Sequence, residues 1–175
     1  GGTLPAERQS GEFDSELIEQ ACSLRSIVDE CMDKTQLQNA LSEIFRMVSR
    51  ANKYIDETLP WVLAKDESNK PRLSSVLYNL LESIRIISTL LSPFMPATMP
   101  KVWEQIGADI NAVSYENAGV FNVLPQNVTV KKGEALFPRI DTEKEIEELN
   151  KLIEAQMAEA EKKNAKIELA PEISI

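Results

Sequence analysis

The sequence has 175 residues, of which 43% are hydrophobic, a net charge of −9 and no histidine. A chain of this size can bury a core without a disulfide or a metal. The lack of histidine excludes Ser-His-Asp and Cys-His catalysis and any histidine-containing metal site, and the acidic charge excludes nonspecific nucleic-acid binding, because phosphate is repelled.

The chain begins with an irregular segment followed by a long helix. Residues 1–13 have no hydrophobic period and predict a loop, after which Asp14 or Ser15 is expected to cap the helix. Apolar residues then recur at steps of three and four as far as Cys31. Cys22 and Cys31 lie on this helix without zinc-ligand or CxxC spacing, so we expect buried free thiols in a reducing cytoplasm.

A second long helix is predicted between Leu37 and Thr58, where apolar residues again follow helical spacing. Pro60 ends this helix, because proline lacks a backbone donor and disfavours helical geometry at Leu59. The chain is therefore expected to kink immediately before Trp61.

A third helix is predicted from Pro71 to Leu91, and its apolar residues cover more than one face. A helix that is apolar on most sides is buried among other helices, so we expect this helix at the centre of the molecule. Ser92-Pro93 ends it, and a short fourth helix follows that contains Trp103, expected in the core, and is closed by Gly107.

Residues 108–140 lose the helical period, and Val128 and Val130 predict one short strand or an extended cover. Residues 143–163 return to an amphipathic helix with a narrow apolar stripe, and the residues after 163 predict a linker. The predicted fold class is all-α: an antiparallel bundle of four core helices, an irregular crossover and a peripheral C-terminal helix.

No motif of this sequence predicts catalysis. A Gly-rich phosphate loop, a nucleophile beside a base and a metal-ligand series are all missing. Glu143, Glu147 and Glu154 lack the histidines that di-iron helical bundles pair with glutamates, so they predict a solvated face. We therefore assign no catalytic residue and no metal ligand.

The segment 51–65 combines features that suit an unstacked RNA base. Pro60 places Trp61 at a kink, where the ring can face solvent. Asn52 continues the line of the apolar face, so its amide must find a partner or open onto a groove. Cations at spacings of four and three follow one stripe: Arg46, Arg50 and Lys53. Aromatic stacking contributes about 1–3 kcal/mol per base, and polar groups read the base edge.

Each of these features also has a structural interpretation. A tryptophan after a proline is commonly a core residue, an asparagine in this position commonly ties a helix to a loop, and a stripe of cations is commonly a solvated face. The residues alone leave both interpretations open.

Three motifs occur in a fixed order: Ala-Asn-Lys-Tyr-Ile-Asp at 51–56 with Pro60-Trp61 and Ala64-Lys65, then Leu91–Pro96, then Leu136–Asp141. Together, over residues 12–141, they resemble the anticodon-binding domain of bacterial methionyl-tRNA synthetases. The resemblance implies a helix bundle of the class I synthetase anticodon-binding type, which follows a catalytic domain in the whole enzyme.

The same resemblance implies the roles of individual residues. Trp61 is expected to stack on the first anticodon base, with Asn52 and Pro60 shaping the pocket and Lys53 and Lys65 as weak phosphate contacts. The family also reads the anticodon with an Asn and an Arg on the first helix of the domain. That helix precedes residue 1, so no residue is assigned to those roles.

The implied function is recognition of the CAU anticodon of methionine tRNA for a cytoplasmic ligase. ATP belongs to the parent enzyme, because its HIGH-like and KMSKS-like signatures are missing here, and no cofactor is expected in this chain. The expected partners are the tRNA anticodon loop and the catalytic domain of the same enzyme. A homodimer of the parent is left open, and no membrane segment is expected, because no apolar run approaches the ~18–20 residues needed.

The predicted organisation is a bundle at 1–141, an amphipathic helix at 142–163 and, at 164–175, a linker toward a further C-terminal tRNA-binding domain. Two alternatives remain: the equivalent domain of another class I synthetase, and a helical protein–protein interaction adaptor.

Overall fold

The computed structural model describes the backbone of residues 2–165 and the side chains of residues 2–160. Long helices alternate with short connections, and two short strands pair with each other. The elements in chain order are β1 (Gly2–Thr3), α1 (Asp14–Asp33), α2 (Leu37–Thr58), α3 (Pro60–Leu63), α4 (Lys70–Leu91), α5 (Met99–Ile106), β2 (Thr129–Val130) and α6 (Thr142–Ala165), with 3-10 turns at Glu67–Asn69 and Tyr115–Gly119. The all-α fold class is confirmed.

The start of the chain differs from the prediction in two respects. Gly2–Thr3 is a strand rather than a loop, and it pairs antiparallel with the predicted strand at Thr129–Val130. The N-cap of α1 is Phe13, so neither Asp14 nor Ser15 caps the helix. Asp14 is instead the first helical residue, and its carboxylate is taken up by partners on other helices.

Helix α4 is central, as predicted, and packs against α1, α2, α3 and α5. The reason differs from the predicted one, because much of its buried surface is polar. The buried polar residues are Ser74, Ser75, Asn79, Glu82, Ser83, Arg85, Ser88 and Thr89. By contrast, Leu77 and Ile84 of α4 are 36% and 38% exposed. Helix α4 therefore joins the molecule through hydrogen bonds as well as through apolar packing.

Helix α2 buries only part of the face that its apolar residues predict, which runs through Leu37, Leu41, Ile44, Phe45 and Val48. Its buried line consists of Ala40, Ile44, Met47, Arg50, Ala51 and Tyr54. Leu37 and Phe45 of the predicted face are 49% and 55% exposed. The small alanines allow neighbouring helices to approach closely, and the Tyr54 hydroxyl finds polar partners in the interior, as buried tyrosines usually do.

The crossover after α5 is attached to α4 by a fully buried ion pair. Arg85 donates two hydrogen bonds to Glu82, at 3.0 and 2.7 Å, and others to the carbonyls of Ala112 and Asn117, at 2.9 and 3.1 Å. Glu82 in turn accepts the backbone amide of Leu124. These bonds satisfy backbone groups that an irregular segment cannot satisfy by itself.

The prediction for the thiols is confirmed in part, and the prediction for the end of α5 is confirmed. Cys22 and Cys31 are free, although they are half-buried rather than buried, and burial raises the pKa of Cys22. Gly107 closes α5 in a left-handed conformation with φ of 71°, as expected for a C-terminal glycine.

The chain divides into two compact units, one up to Leu136 and one from Phe137 onward. The second contains α6, which has exposed apolar residues along one stripe and an ion pair between Glu147 and Lys151 at 2.7 Å. Of the predicted linker, residues 164 and 165 end α6, and 166–175 lie outside the described residues. None of the helices in residues 2–165 is long and apolar enough to cross a membrane.

Candidate nucleic-acid interface

The corner between α2 and α3 is formed by a residue in the left-handed conformation. Leu59 has φ of 47° and ψ of 60°, and its amide still donates to the Ile55 carbonyl at 2.9 Å. Proline at the next position disfavours the right-handed helical region for Leu59, so α2 ends there. Pro60 then begins α3, where its fixed φ suits a first helical residue. The predicted kink is confirmed, and it directs α3 away from the axis of α2.

Trp61 is the second residue of α3, and its side chain faces solvent. It is 53% exposed, and its neighbour Val62 is 47% exposed. The interpretation of Trp61 as a core residue is therefore wrong. Trp103, in contrast, packs against the core, and its indole N–H donates to the Ser88 hydroxyl at 3.0 Å.

The amide of Asn52 is also open to solvent. Asn52 lies on the exposed side of α2, nine residues before Trp61. Within residues 2–160 its side chain has no hydrogen-bond partner, so it does not tie the helix to a loop. Its donor and acceptor groups are available to a ligand. Pro60 is half-buried at the corner itself.

The predicted stripe of cations is only partly a solvated face. Arg50 is 7% exposed and lies between two carboxylates, with Glu16 at 3.3 Å and Glu57 at 2.9 Å. The stripe prediction is wrong for Arg50, because Glu16 at the start of α1 reaches across to it. Arg46 and Lys53 remain exposed.

The two lysines predicted to contact phosphate differ in their surroundings. Lys53 is exposed but pairs with Glu57 at 3.5 Å. Lys65 follows α3, is exposed, and has no ion-pair partner among residues 2–160. The charge of Lys65 is therefore the less neutralised of the two.

Behind the corner lies a buried polar network that was not predicted, consisting of Asp14, Tyr54, Arg72 and Asn79. Arg72 donates two hydrogen bonds to the Asp14 carboxylate, at 2.7 and 2.8 Å. The Tyr54 hydroxyl donates to Asp14 Oδ1 at 2.6 Å and accepts from Asn79 Nδ2 at 3.1 Å. The network joins the first residue of α1, the last turns of α2 and the first turns of α4.

The network also shifts the pKa values of its members. Burial by itself raises the pKa of Asp14, but hydrogen bonds from Arg72, Tyr54 and the Gly11 amide outweigh it and hold the pKa below its usual value. Burial, together with the hydrogen bond to Asp14, raises the pKa of Tyr54 to about 12. Tyr54 therefore keeps its proton, and Asp14 stays ionised, at neutral pH.

One signal in the sequence points to this network. Tyr54 continues a line of small and apolar residues at three- and four-residue spacing through Ala40, Ile44, Met47 and Ala51. A tyrosine on a buried line needs a partner for its hydroxyl. The sequence does not reveal that Asp14 and Arg72 meet there, because both are far away along the chain.

Comparison with known proteins identifies the family. The family model for the anticodon binding domain of methionyl tRNA ligase matches residues 4–158. The chain is 52% identical over 158 residues to a methionine--tRNA ligase of Caldanaerobacter subterraneus subsp. tengcongensis, which covers 90% of this chain and 25% of the relative. A methionine--tRNA ligase of Clostridium acetobutylicum is 45% identical over 174 residues, which is 99% of this chain and 26% of that protein. The chain thus spans about a quarter of the length of these curated relatives.

The fold agrees with the sequence relationship. The apo form of Mycobacterium tuberculosis methionyl-tRNA synthetase superimposes with a TM-score of 0.73 at 30% identity, over 80% of this chain and 28% of that one. The matched range of the family model includes the exposed tryptophan corner described above. The chain therefore belongs to the family of anticodon-binding domains of methionyl-tRNA ligase.

Proposed function

We propose that this chain recognises the CAU anticodon of methionine tRNA by stacking an anticodon base on Trp61. The observation that supports the proposal is the 53% exposure of this indole at a proline corner, in a chain of an anticodon-binding family. Exposure of a large aromatic ring to water is unfavourable unless the ring has a binding partner, and an unstacked base is a suitable partner. The stack contributes about 1–3 kcal/mol to binding.

The neighbouring residues supply the other contacts. The free amide of Asn52 offers a donor and an acceptor to a base edge. Pro60 fixes the backbone at the base of the ring, and Lys53 and Lys65 contact phosphate groups. Because the chain carries a net charge of −9, its RNA binding depends on such local contacts rather than on overall attraction.

We propose further that the chain acts within a cytoplasmic methionine--tRNA ligase, which joins methionine to tRNA with ATP at a catalytic domain elsewhere in that enzyme. The curated relatives carry this name and are about four times as long as the match. Leu37, an exposed apolar residue at the start of α2, is proposed to pack against another part of that enzyme. Dimerisation of the enzyme stays a prediction.

The proposal is tested with Trp61→Ala in a full-length ligase carrying this chain. Fluorescence anisotropy of a labelled CAU anticodon stem-loop measures the affinity. We expect Trp61→Ala to weaken binding by about 1–3 kcal/mol, while the helical circular dichroism and the melting temperature stay nearly unchanged. Phe45→Ala, which removes another exposed aromatic ring from the neighbouring helix α2, is the control and is expected to keep the wild-type affinity.

Unchanged affinity in Trp61→Ala contradicts the stacking role. A steep fall in melting temperature shows instead that the ring stabilises the fold. Exchanging the CAU anticodon for that of another amino acid separates this family from other class I synthetases: specific binding requires that the exchanged stem-loop binds more weakly.

A further inference from the structure

We propose that Tyr54, within the buried network of Asp14, Tyr54, Arg72 and Asn79, is a positioning residue for Trp61. Its hydroxyl links the end of α2 to the first turns of α4 by hydrogen bonds. Helix α3 lies between these two helices in the chain. The inference rests on the proposed stacking function of Trp61, and it concerns a side chain that is 0% exposed and cannot touch RNA.

The first step is that α3 does not fix its own position. None of its four residues is buried, and the 3-10 turn that follows it has no buried residue either. Leu63 alone packs partly against the core. The placement of the Trp61 ring therefore depends on the two flanking helices, α2 and α4.

The second step is that the network holds those two helices together close to α3. Tyr54 is one turn before the end of α2, and its carbonyl accepts the Thr58 hydroxyl at 2.6 Å. Arg72 is in the first turn of α4, and Asn79 is two turns further on. Arg72 bonds to Asp14, to which the Tyr54 hydroxyl also bonds, and Asn79 bonds to the Tyr54 hydroxyl itself.

The third step is that a second group of ion pairs joins the start of α1 to the end of α2. Arg50 pairs with Glu16 on the first turn of α1 and with Glu57 on the last turn of α2. Its guanidinium also lies 6.0 Å from the centre of the Tyr54 ring. Asp14 and Glu16 together therefore anchor the last turns of α2, immediately before the Leu59 corner.

Positioning matters for stacking because the ring must meet a base at a fixed distance and angle. A binding side chain is effective when its support is held rigidly by packing and hydrogen bonds behind it. Loss of the Tyr54 hydroxyl removes the side-chain partner of Asn79 and one of the two hydrogen bonds to Asp14 Oδ1, which keeps its bond from Arg72. The aromatic ring still fills the same space. The expected consequence is a looser α3 rather than an unfolded domain.

The chain offers a matched control in Tyr78. This tyrosine is also buried and its pKa is likewise raised to about 12, mainly by burial. Its hydroxyl donates at 2.6 Å, but to the Leu124 carbonyl of the crossover rather than to the network. Tyr54→Phe and Tyr78→Phe thus each remove one buried hydroxyl with one strong hydrogen bond, at different places.

The experiment compares the two variants in a full-length ligase carrying this chain, well below the melting temperature of each. The readout is the affinity for the labelled CAU stem-loop by anisotropy. We expect Tyr54→Phe to weaken binding roughly 2- to 10-fold, a part of the stacking contribution. Tyr78→Phe is expected to lower the melting temperature to a similar extent and to leave the affinity at the wild-type value.

A double-mutant cycle with Trp61→Ala distinguishes positioning from any direct effect. If Tyr54 acts through the indole, Tyr54→Phe causes no further loss of affinity when Trp61 is already alanine. Equal effects of Tyr54→Phe and Tyr78→Phe on affinity, or full additivity in the cycle, overturn the positioning role while the stacking role stands. If Trp61→Ala alone has no effect on affinity, the proposed function is wrong and the positioning role is overturned with it.

Discussion

The two halves of α4 carry two buried polar clusters with different surroundings. Arg72 and Asn79 in the first half meet Asp14 and Tyr54 behind an exposed indole. Glu82 and Arg85 further along are 0% exposed and bind the crossover. The first cluster connects three regular helices at a surface corner, whereas the second satisfies the backbone of an irregular segment.

The two clusters show that buried charged side chains have different roles in the two halves of α4. Arg85 donates to the Ala112 and Asn117 carbonyls, so its removal leaves the Ala112 carbonyl without a donor and the Glu82 carboxylate without its opposite charge in the interior. The Asp14 cluster also binds the Gly11 amide and the Gln9 carbonyl, but its side-chain bonds join three helices to one another. We therefore expect the Arg85 cluster to control stability alone and the Asp14 cluster to control stability and RNA affinity together.

The largest expected effect is on the Arg85 cluster. Arg85→Met removes one partner of a fully buried ion pair, which costs about 3–5 kcal/mol of unfolding free energy. Urea unfolding followed by circular dichroism measures this. Converting Glu82 to Met as well removes the unpaired charge. The double variant is therefore expected to lose less unfolding free energy than the sum of the losses in the two single variants.

A loss below about 1 kcal/mol for Arg85→Met would mean that water or relaxation replaces the ion pair. That result would remove the contrast between the two halves of α4.

An intermediate effect is expected for Asp14 and depends on pH. The pKa of Asp14 is lower in the folded protein than in the unfolded chain. Its contribution is therefore complete above the unfolded pKa of about 3.9 and is lost as pH falls through the lower folded value. Asp14→Asn is expected to cost about 1–3 kcal/mol at neutral pH, and the difference from wild type is expected to shrink in acid.

Thermal unfolding across the acidic range measures this difference. Asp66→Asn is the control, because Asp66 is exposed, its pKa is lowered by hydrogen bonds from Ser68, and it has no ion-pair partner among residues 2–160. A difference between Asp14→Asn and wild type that stays constant from neutral pH into acid would show that the carboxylate charge is not what Arg72 and Tyr54 stabilise.

The smallest expected effect is at the surface lysines near Trp61. Lys65→Ala is expected to reduce the salt dependence of stem-loop binding by about 0.7 in the logarithmic slope, the loss of one phosphate contact on a single strand. Lys53→Ala is expected to change it less, because Lys53 is already paired with Glu57. Anisotropy titrations over a range of salt concentrations measure both slopes, and an equal or larger change for Lys53→Ala would contradict this order.

The sequence predicted those features that depend on local patterns. The long helices and the corner at Leu59 follow from hydrophobic spacing and from proline geometry, which act within a few residues. The residues alone left the exposure of Trp61 open, and only the family resemblance implied it. The family resemblance rested on three short motifs in order, at 51–65, 91–96 and 136–141, and the comparisons confirm the family.

Features that depend on distant contacts were not predicted. Helix α2 has two adjacent apolar lines, and only packing against α1 and α4 decides that the line through Ala51 and Tyr54 is buried. Arg50 was assigned to a solvated stripe because the approach of Glu16, from another helix, cannot be read from the sequence. The Asp14 network joins residues up to 65 positions apart and is therefore visible only in the fold.

The central claim is that the indole of Trp61 receives an anticodon base, and the emission of that indole tests it most directly. The measurement is the difference in tryptophan fluorescence between a full-length ligase carrying this chain and its Trp61→Phe variant, during titration with the CAU stem-loop. We predict saturable quenching in this difference signal with the CAU stem-loop and none with a stem-loop of exchanged anticodon. A CAU stem-loop that binds while the Trp61 signal stays unquenched would contradict the account.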